Sequence, residues 1–267
     1  MNRIAALMEK EFLDLRHHPG VFVPGLLTAA ISIVLPFFVA VVIPAWTGER
    51  LSDSSDFQLA LEMYRSQPIS RTMDAEAAVQ AWVFQQFLPL LVLAPVAASM
   101  SVAAYTVIGE KQARTLEPLL ATPITTFELL TAKVLAALIP AFALSLGSFL
   151  VYAIGILLFA HTGAVRILLA PQSLAMAFLL GPLAALAALQ LAVCVSSRVN
   201  DARSAQQIGA LIIVPLAALL IGTLTGAIQL TPKLIALISL ILAGINVMLM
   251  RIGVSLFERE SILTRWK

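Results

Sequence analysis

Charge is scarce in this chain. Asp, Glu, Lys and Arg make up 12% of its 267 residues, about half the ~25% of an ordinary soluble domain. Hydrophobic residues make up 60%, and the mean hydropathy is +0.95; a soluble core cannot hide that much apolar surface. Cysteine is nearly absent. Cys194 is the single one, so no intrachain disulfide and no C-x-x-C metal or haem motif can form, and it reads as a small packing residue. Histidine is rare as well: His17, His18 and His161 all fall at loop positions. A serine protease inside the bilayer would need a base within a span, and none is available. There is no G-x-x-x-x-G-K-[ST], so no nucleotide is bound by a P-loop, and no H-E-x-x-H for a zinc protease. The net charge of +2 does not signal nucleic acid, because the basic residues are scattered through short loops instead of forming one patch.

What the chain does have is six long uncharged stretches, at residues 21–45, 84–108, 134–160, 174–195, 208–224 and 234–250. A helix rises 1.5 Å per residue, so about 20 apolar residues cross a bilayer core of about 30 Å. The fifth stretch is the shortest and reaches that length when Gln206 and Gln207, or Thr225 and Gly226, are included. The chain is therefore expected to be an all-α polytopic membrane protein with six transmembrane helices, in a single transmembrane domain over residues 1–267. The first apolar run is too long for a cleaved signal, and the segment before it carries Glu9, Glu11 and Asp14, so it is expected to remain. No Asp, Glu, Lys or Arg falls in the middle of a span. Ion and proton routes usually carry such residues, because placing one there costs at least about 2.5–3.5 kcal/mol. Work to move a substrate would then have to enter from elsewhere, most simply through a cytoplasmic loop.

Loop charge sets the orientation. Twelve of the 17 Lys and Arg residues fall on the side shared by the two termini and five on the other, which places both termini in the cytoplasm. The largest outer segment, residues 46–83, carries amphipathic stretches around 56–65 and 74–82, separated by Pro68. Trp46 and Trp82 suit the membrane–water boundary. Residues 1–18 read as an amphipathic interfacial helix, with Ile4, Leu7, Met8, Phe12 and Leu15 at helical spacing and Pro19-Gly20 ending it. Pro24, Pro36, Pro89, Pro95, Pro140, Pro182 and Pro215 lie in or near spans and can kink them. Gly222 and Gly226 have the G-x-x-x-G spacing of close helix contacts.

The loop between the second and third spans, residues 109–125, carries Leu116, Leu119 and Leu120 on one helical face, with Glu110, Arg114 and Glu117 elsewhere. Pro123 closes it, and Thr125 to Glu128 could cap the next helix. A short helix held between two spans makes a lever, although periodicity alone favours a solvated charged hairpin. The polar groups that could face a path are uncharged: Gln85, Gln86, Ser99, Ser101, Tyr105, Gln190, Gln206, Gln207 and Asn246. Such a lining suits an apolar or amphipathic substrate, or else these groups simply join helix to helix.

The run Glu110-Lys111, then Arg114-Thr115-Leu116-Glu117-Pro118-Leu119-Leu120-Ala121-Thr122-Pro123, followed by Glu128-Leu129-Leu130 and Lys133, resembles the signature of type-2 ABC exporter permeases. Lys10-Glu11-Phe12 and the run Phe257 to Leu263 are weaker echoes of that family's termini. Ala113 stands where the family usually has Gly, which should stiffen the loop. The short connection 225–233 leaves little chain for outer re-entrant helices. The resemblance implies a non-catalytic subunit in a bacterial or archaeal-type plasma membrane. It implies that Glu110, Lys111, Arg114, Thr115, Leu116, Glu117, Pro118, Leu119 and Leu120 form a coupling helix docking on a separate cytoplasmic ABC ATPase. It also implies a second permease subunit, contact with membrane lipid, no nucleic acid, and no cofactor in this chain, with ATP and Mg on the partner. Export of a hydrophobic or amphipathic substrate is the leading expectation. Extrusion of sodium or another ion, and a non-transporting scaffold coupled to an ATPase, are the alternatives.

Overall fold

The computed structural model describes residues 3–54, 57, 73–112, 124–196 and 202–256. All regular elements among them are helical. Helix α1 spans Arg3–His17, and a 3-10 turn at Pro19–Phe22 leads into α2, Val23–Phe37. A π-helical turn, Phe38–Val42, follows Pro36 and continues into α3, Ile43–Thr47. The proline nitrogen cannot donate to the preceding turn, and the wider turn lies immediately beyond that break. Gly48, at φ 73, ends the run with its N–H on the Pro44 carbonyl.

Helices α4, Ala75–Gln86, and α5, Leu88–Gln112, form one nearly continuous rod. Helix α6 covers Thr126–Phe159, and α7, Pro171–Ala175, passes through a second π turn into α8, Gly181–Ser196. Helices α9, Ala202–Gly209, and α10, Ile213–Leu224, flank a 3-10 turn, and α11 spans Pro232–Leu256. Five helical runs are long and apolar enough to cross a membrane: Pro19–Thr47, Ala75–Glu110, Thr126–Phe159, Pro171–Ser196 and Pro232–Leu256. The apolar run Ala210–Leu224 is shorter.

The bundle has a centre and a rim. In the most apolar part of the second and fourth runs, 78% and 61% of residues are buried, against 17–28% in the other three. The rim helices turn large apolar side chains outward. Leu27, Ile31 and Val34 form such a row on α2, and Leu237, Leu240 and Met248 are equally exposed on α11. In water each would forgo about 1.5–3 kcal/mol of burial; against lipid tails it would not. Close approach between helices depends on missing side chains. A Cβ on Gly25 would sit 2.6 Å from the Ala98 Cβ, and one on Gly155 would sit 2.6 Å from the Phe37 ring.

Two expectations change on contact with the structure. The stretch expected as a separate outer helix near 74–82 is the first part of the second rod, and its residues 76–81 are all buried. Its polar residues make this possible. Glu76 accepts from the Leu51 and Ser52 N–H groups at 3.3 and 3.0 Å. Gln80 donates to the Ala40 carbonyl and accepts from the His161 N–H. Trp82 packs edge-on to Phe57 at 6.2 Å, partly buried, while Trp46 stands exposed. The stretch near 56–65 and Pro68 lie outside the described residues, apart from Phe57. The second change concerns Gly222 and Gly226, which do not mediate a helix–helix contact. Gly226, at φ 72, is the left-handed cap of α10, and Gly222 receives the Ile228 side chain of its own turn.

Candidate functional site

The third rod starts where a short local signal puts it. Thr125 sits in extended backbone and its hydroxyl accepts from the Glu128 N–H, while the Glu128 carboxylate accepts from the Thr125 N–H at 2.8 Å. This capping box satisfies two donors that a helix start leaves open. One turn further on, Lys133 points into the protein with 3% of its surface exposed.

Helix α1 brings the complementary charge. Leu7, Glu11 and Leu15 lie at i, i+4, i+8 and are its buried residues. Leu7 packs with Ile4 and Met8 against Leu129, Ala132 and Ile124, so part of the apolar stripe covers the third rod. Phe12 remains exposed. Glu11, in the middle of that stripe, accepts from the Lys133 ammonium at 2.8 Å. Lys133 also lies 2.8 Å from one oxygen of Glu110, near the end of α5. The other Glu110 oxygen accepts from Lys10 of α1, and Lys10 stands 3.5 Å from Glu11. Glu11, Lys133, Glu110 and Lys10 therefore form a closed ring of alternating charge. Asp14, on the exposed rim, lies 3.6 Å from Lys10.

The alternation allows burial. Within the ring each cation has two anions beside it and each anion two cations, so the buried Glu11, Glu110 and Lys133 are balanced by the half-exposed Lys10. The balance is visible at Lys10. Burial alone would lower its pKa, but the hydrogen bond and charge of Glu110, aided by Glu11 and Asp14, raise it above the ordinary lysine value.

The ring collects three separate pieces of the sequence: the Lys10-Glu11 pair, Glu110 at the start of residues 109–125, and the downstream Lys133. Glu110, expected on a docking surface, has its carboxylate turned to Lys10 and Lys133. The Lys111 side chain, together with Arg114, Thr115, Leu116, Glu117, Pro118, Leu119 and Leu120, lies outside the described residues. So does the carboxy-terminal run from Phe257.

The uncharged polar residues are spread from centre to surface. Ser99 is fully buried and donates to the Val96 and Ala185 carbonyls, joining α5 to α8. Asn246 donates to Leu183 and Leu242, joining α11 to α8. Gln85, Ser101 and Gln190 are buried. Gln190 lies beside Cys194 in a small recess between α6, α8 and α11. Gln86 is partly buried, Tyr105 packs its ring against His18 at 5.1 Å, and Gln207 is exposed. Gln206 lies in α9, its side chain outside the description. Among the described residues no cluster of His, Cys, Asp and Glu could hold a metal ion.

Long apolar helices with outward-facing hydrophobic rims define an integral, multi-pass membrane protein. A family model described as ABC-2 family transporter protein matches residues 59–258, about three quarters of the chain. The chain belongs to that family of ABC transporter permeases. Members are, in general, non-catalytic transmembrane subunits that associate with an ATPase subunit and often dimerise. No curated protein and no solved structure matches the chain significantly.

Proposed function

We propose that this chain is the permease subunit of an ATP-driven exporter, moving a hydrophobic or amphipathic substrate out of the cytoplasm or inner leaflet. Hydrolysis belongs to a separate ATPase, whose ATP and Mg stay on that partner. A second permease subunit completes the route, and residues 109–125 dock on the ATPase.

The observation that carries the reading is where the charge lies. The buried ionisable residues among the described ones with Asp, Glu, Lys or Arg side chains are Glu11, Glu76, Glu110 and Lys133. Each sits near the end of a helical run or outside the spans, so the described membrane interior offers no charged stepping stones for an ion. Uncharged interior surface suits an apolar cargo, and the work then has to arrive from outside the bilayer. Three of the four buried charges gather where residues 109–125 join the bundle.

The reading includes a sixth crossing by residues 202–224 and places both termini in the cytoplasm. Val193 near the end of α8 packs with Leu15 and Val134, at the end of the bundle that holds α1. Ile235, early in α11, belongs to the larger cluster that also holds Leu51 and Ala164, and α11 packs there against α7. These placements support a crossing by the chain between them. With six crossings the excess of Lys and Arg in the sequence falls on the α1 side, which the positive-inside rule assigns to the cytoplasm.

Charge reversal at Arg114 and Glu117 tests the docking. Singly, each variant should still insert and co-purify with the ATPase. Stimulation of its hydrolysis by a panel of apolar and amphipathic ligands should fall about tenfold or more, the scale of one lost interface hot spot. Silent reversals, or a purified chain with no ATPase attached, contradict the proposal.

A further inference from the structure

We infer that the ring of Lys10, Glu11, Glu110 and Lys133 makes α1 a moving part of the coupling device, and that Lys10, Glu11 and Lys133 are positioning residues for coupling. The inference deepens the permease reading and rests on it.

Glu110 stands two residues before α5 leaves the described structure, inside the segment proposed to meet the ATPase. Its two oxygens are held by two different elements, Lys10 on α1 and Lys133 on α6. Lys133 is itself tied back to α1 through Glu11. Any displacement of Glu110 must therefore carry α1 and the foot of α6 with it, or pull buried charges apart. A plain membrane anchor has no use for this. Ile4, Leu7, Met8 and Leu15 already supply apolar contact. Apolar residues in place of the whole ring would hold α1 at least as firmly, because well-packed apolar groups often replace buried ion pairs without loss. A buried carboxylate in the middle of that stripe adds what apolar contact lacks, which is fixed registry with two particular partners on two other helices. The ring converts three separate helix ends into one rigid node at the point where force would enter.

The test follows α1 directly. In a Cys194→Ala background, a cysteine placed at Ala6, on the exposed side of α1, is labelled with a maleimide in the purified complex. Labelling is compared without nucleotide and after trapping with Mg-ATP and vanadate. The rate should change at least several-fold on trapping. In Glu110→Gln that change should disappear while the ATPase still co-purifies. Should Glu110→Gln fail to fold, Lys10→Met serves, since the Lys10 side chain is partly exposed and its loss leaves the Lys133–Glu11 pair intact; the change should then be reduced. Lys133→Arg, which keeps the charge, should preserve it. Hydrolysis with α1 labelling unchanged by trapping, or changed as much in Glu110→Gln and Lys10→Met as in the wild type, overturns the inference and leaves the permease reading standing. A wild-type preparation with no nucleotide hydrolysis overturns that reading and the inference with it.

Discussion

Replacing Lys133 by methionine should destabilise the protein by about 3–5 kcal/mol, the usual cost of stranding a buried charge. Methionine fills a similar volume, so packing changes little. What is lost is the cation between Glu11 and Glu110, both buried. The two carboxylates then share Lys10 alone, and that side chain is 39% exposed. Thermal unfolding in detergent should show a large drop in midpoint. Combining Lys133→Met with Glu11→Gln and Glu110→Gln should recover much of it, because no unpaired charge remains inside. If the single variant is as stable as the wild type, the ring holds nothing together.

Gly25→Val should be nearly as damaging, for a reason unrelated to charge. Gly25 faces Ala98 on α5 and Leu144 on α6, and a Cβ there would meet the Ala98 Cβ at 2.6 Å and its Cα at 3.0 Å. Backbone and a methyl group have no room to yield, so α2 must move off the central rod. Overpacking of this kind costs about 1–3 kcal/mol. By contrast Gly147 has open space around its position, and Gly147→Ala should leave folding unharmed. Comparing the two by monodispersity on size exclusion and by unfolding midpoint separates close packing from a general intolerance of substitution. Equal behaviour would mean that α2 does not seat against α5 as described.

The apolar runs were legible because lipid-crossing length and hydropathy are local properties: four of the expected stretches lie within the long helical runs, and 134–160 passes the end of the third by one residue. Where those runs begin was less legible. The third starts at Thr126 and not near 134, because a capping box and a buried Lys133 extend the helix below the apolar stretch. The second begins at Ala75, because Glu76 and Gln80 find backbone partners that hydropathy cannot anticipate. The ring was half-visible. Glu11 sits on the apolar stripe Leu7–Glu11–Leu15, and a carboxylate at a core position implies a buried cation. Sequence alone could not say that the cation is Lys133, more than a hundred residues away, nor that Glu110 would share it. Gly222 and Gly226 mislead for the opposite reason. Their spacing fits helix contact, but at a helix end the same glycines serve a left-handed cap and a close turn.

The account's central claim is that work reaches this chain from inside the cell, through residues 109–125. The most direct measurement places a cysteine at Thr115 in the Cys194→Ala background and exposes it to a membrane-impermeant maleimide. The account predicts labelling in inverted vesicles and none in intact cells. Labelling of intact cells would put that segment on the exterior, beyond the reach of any cytoplasmic ATPase, and would contradict it.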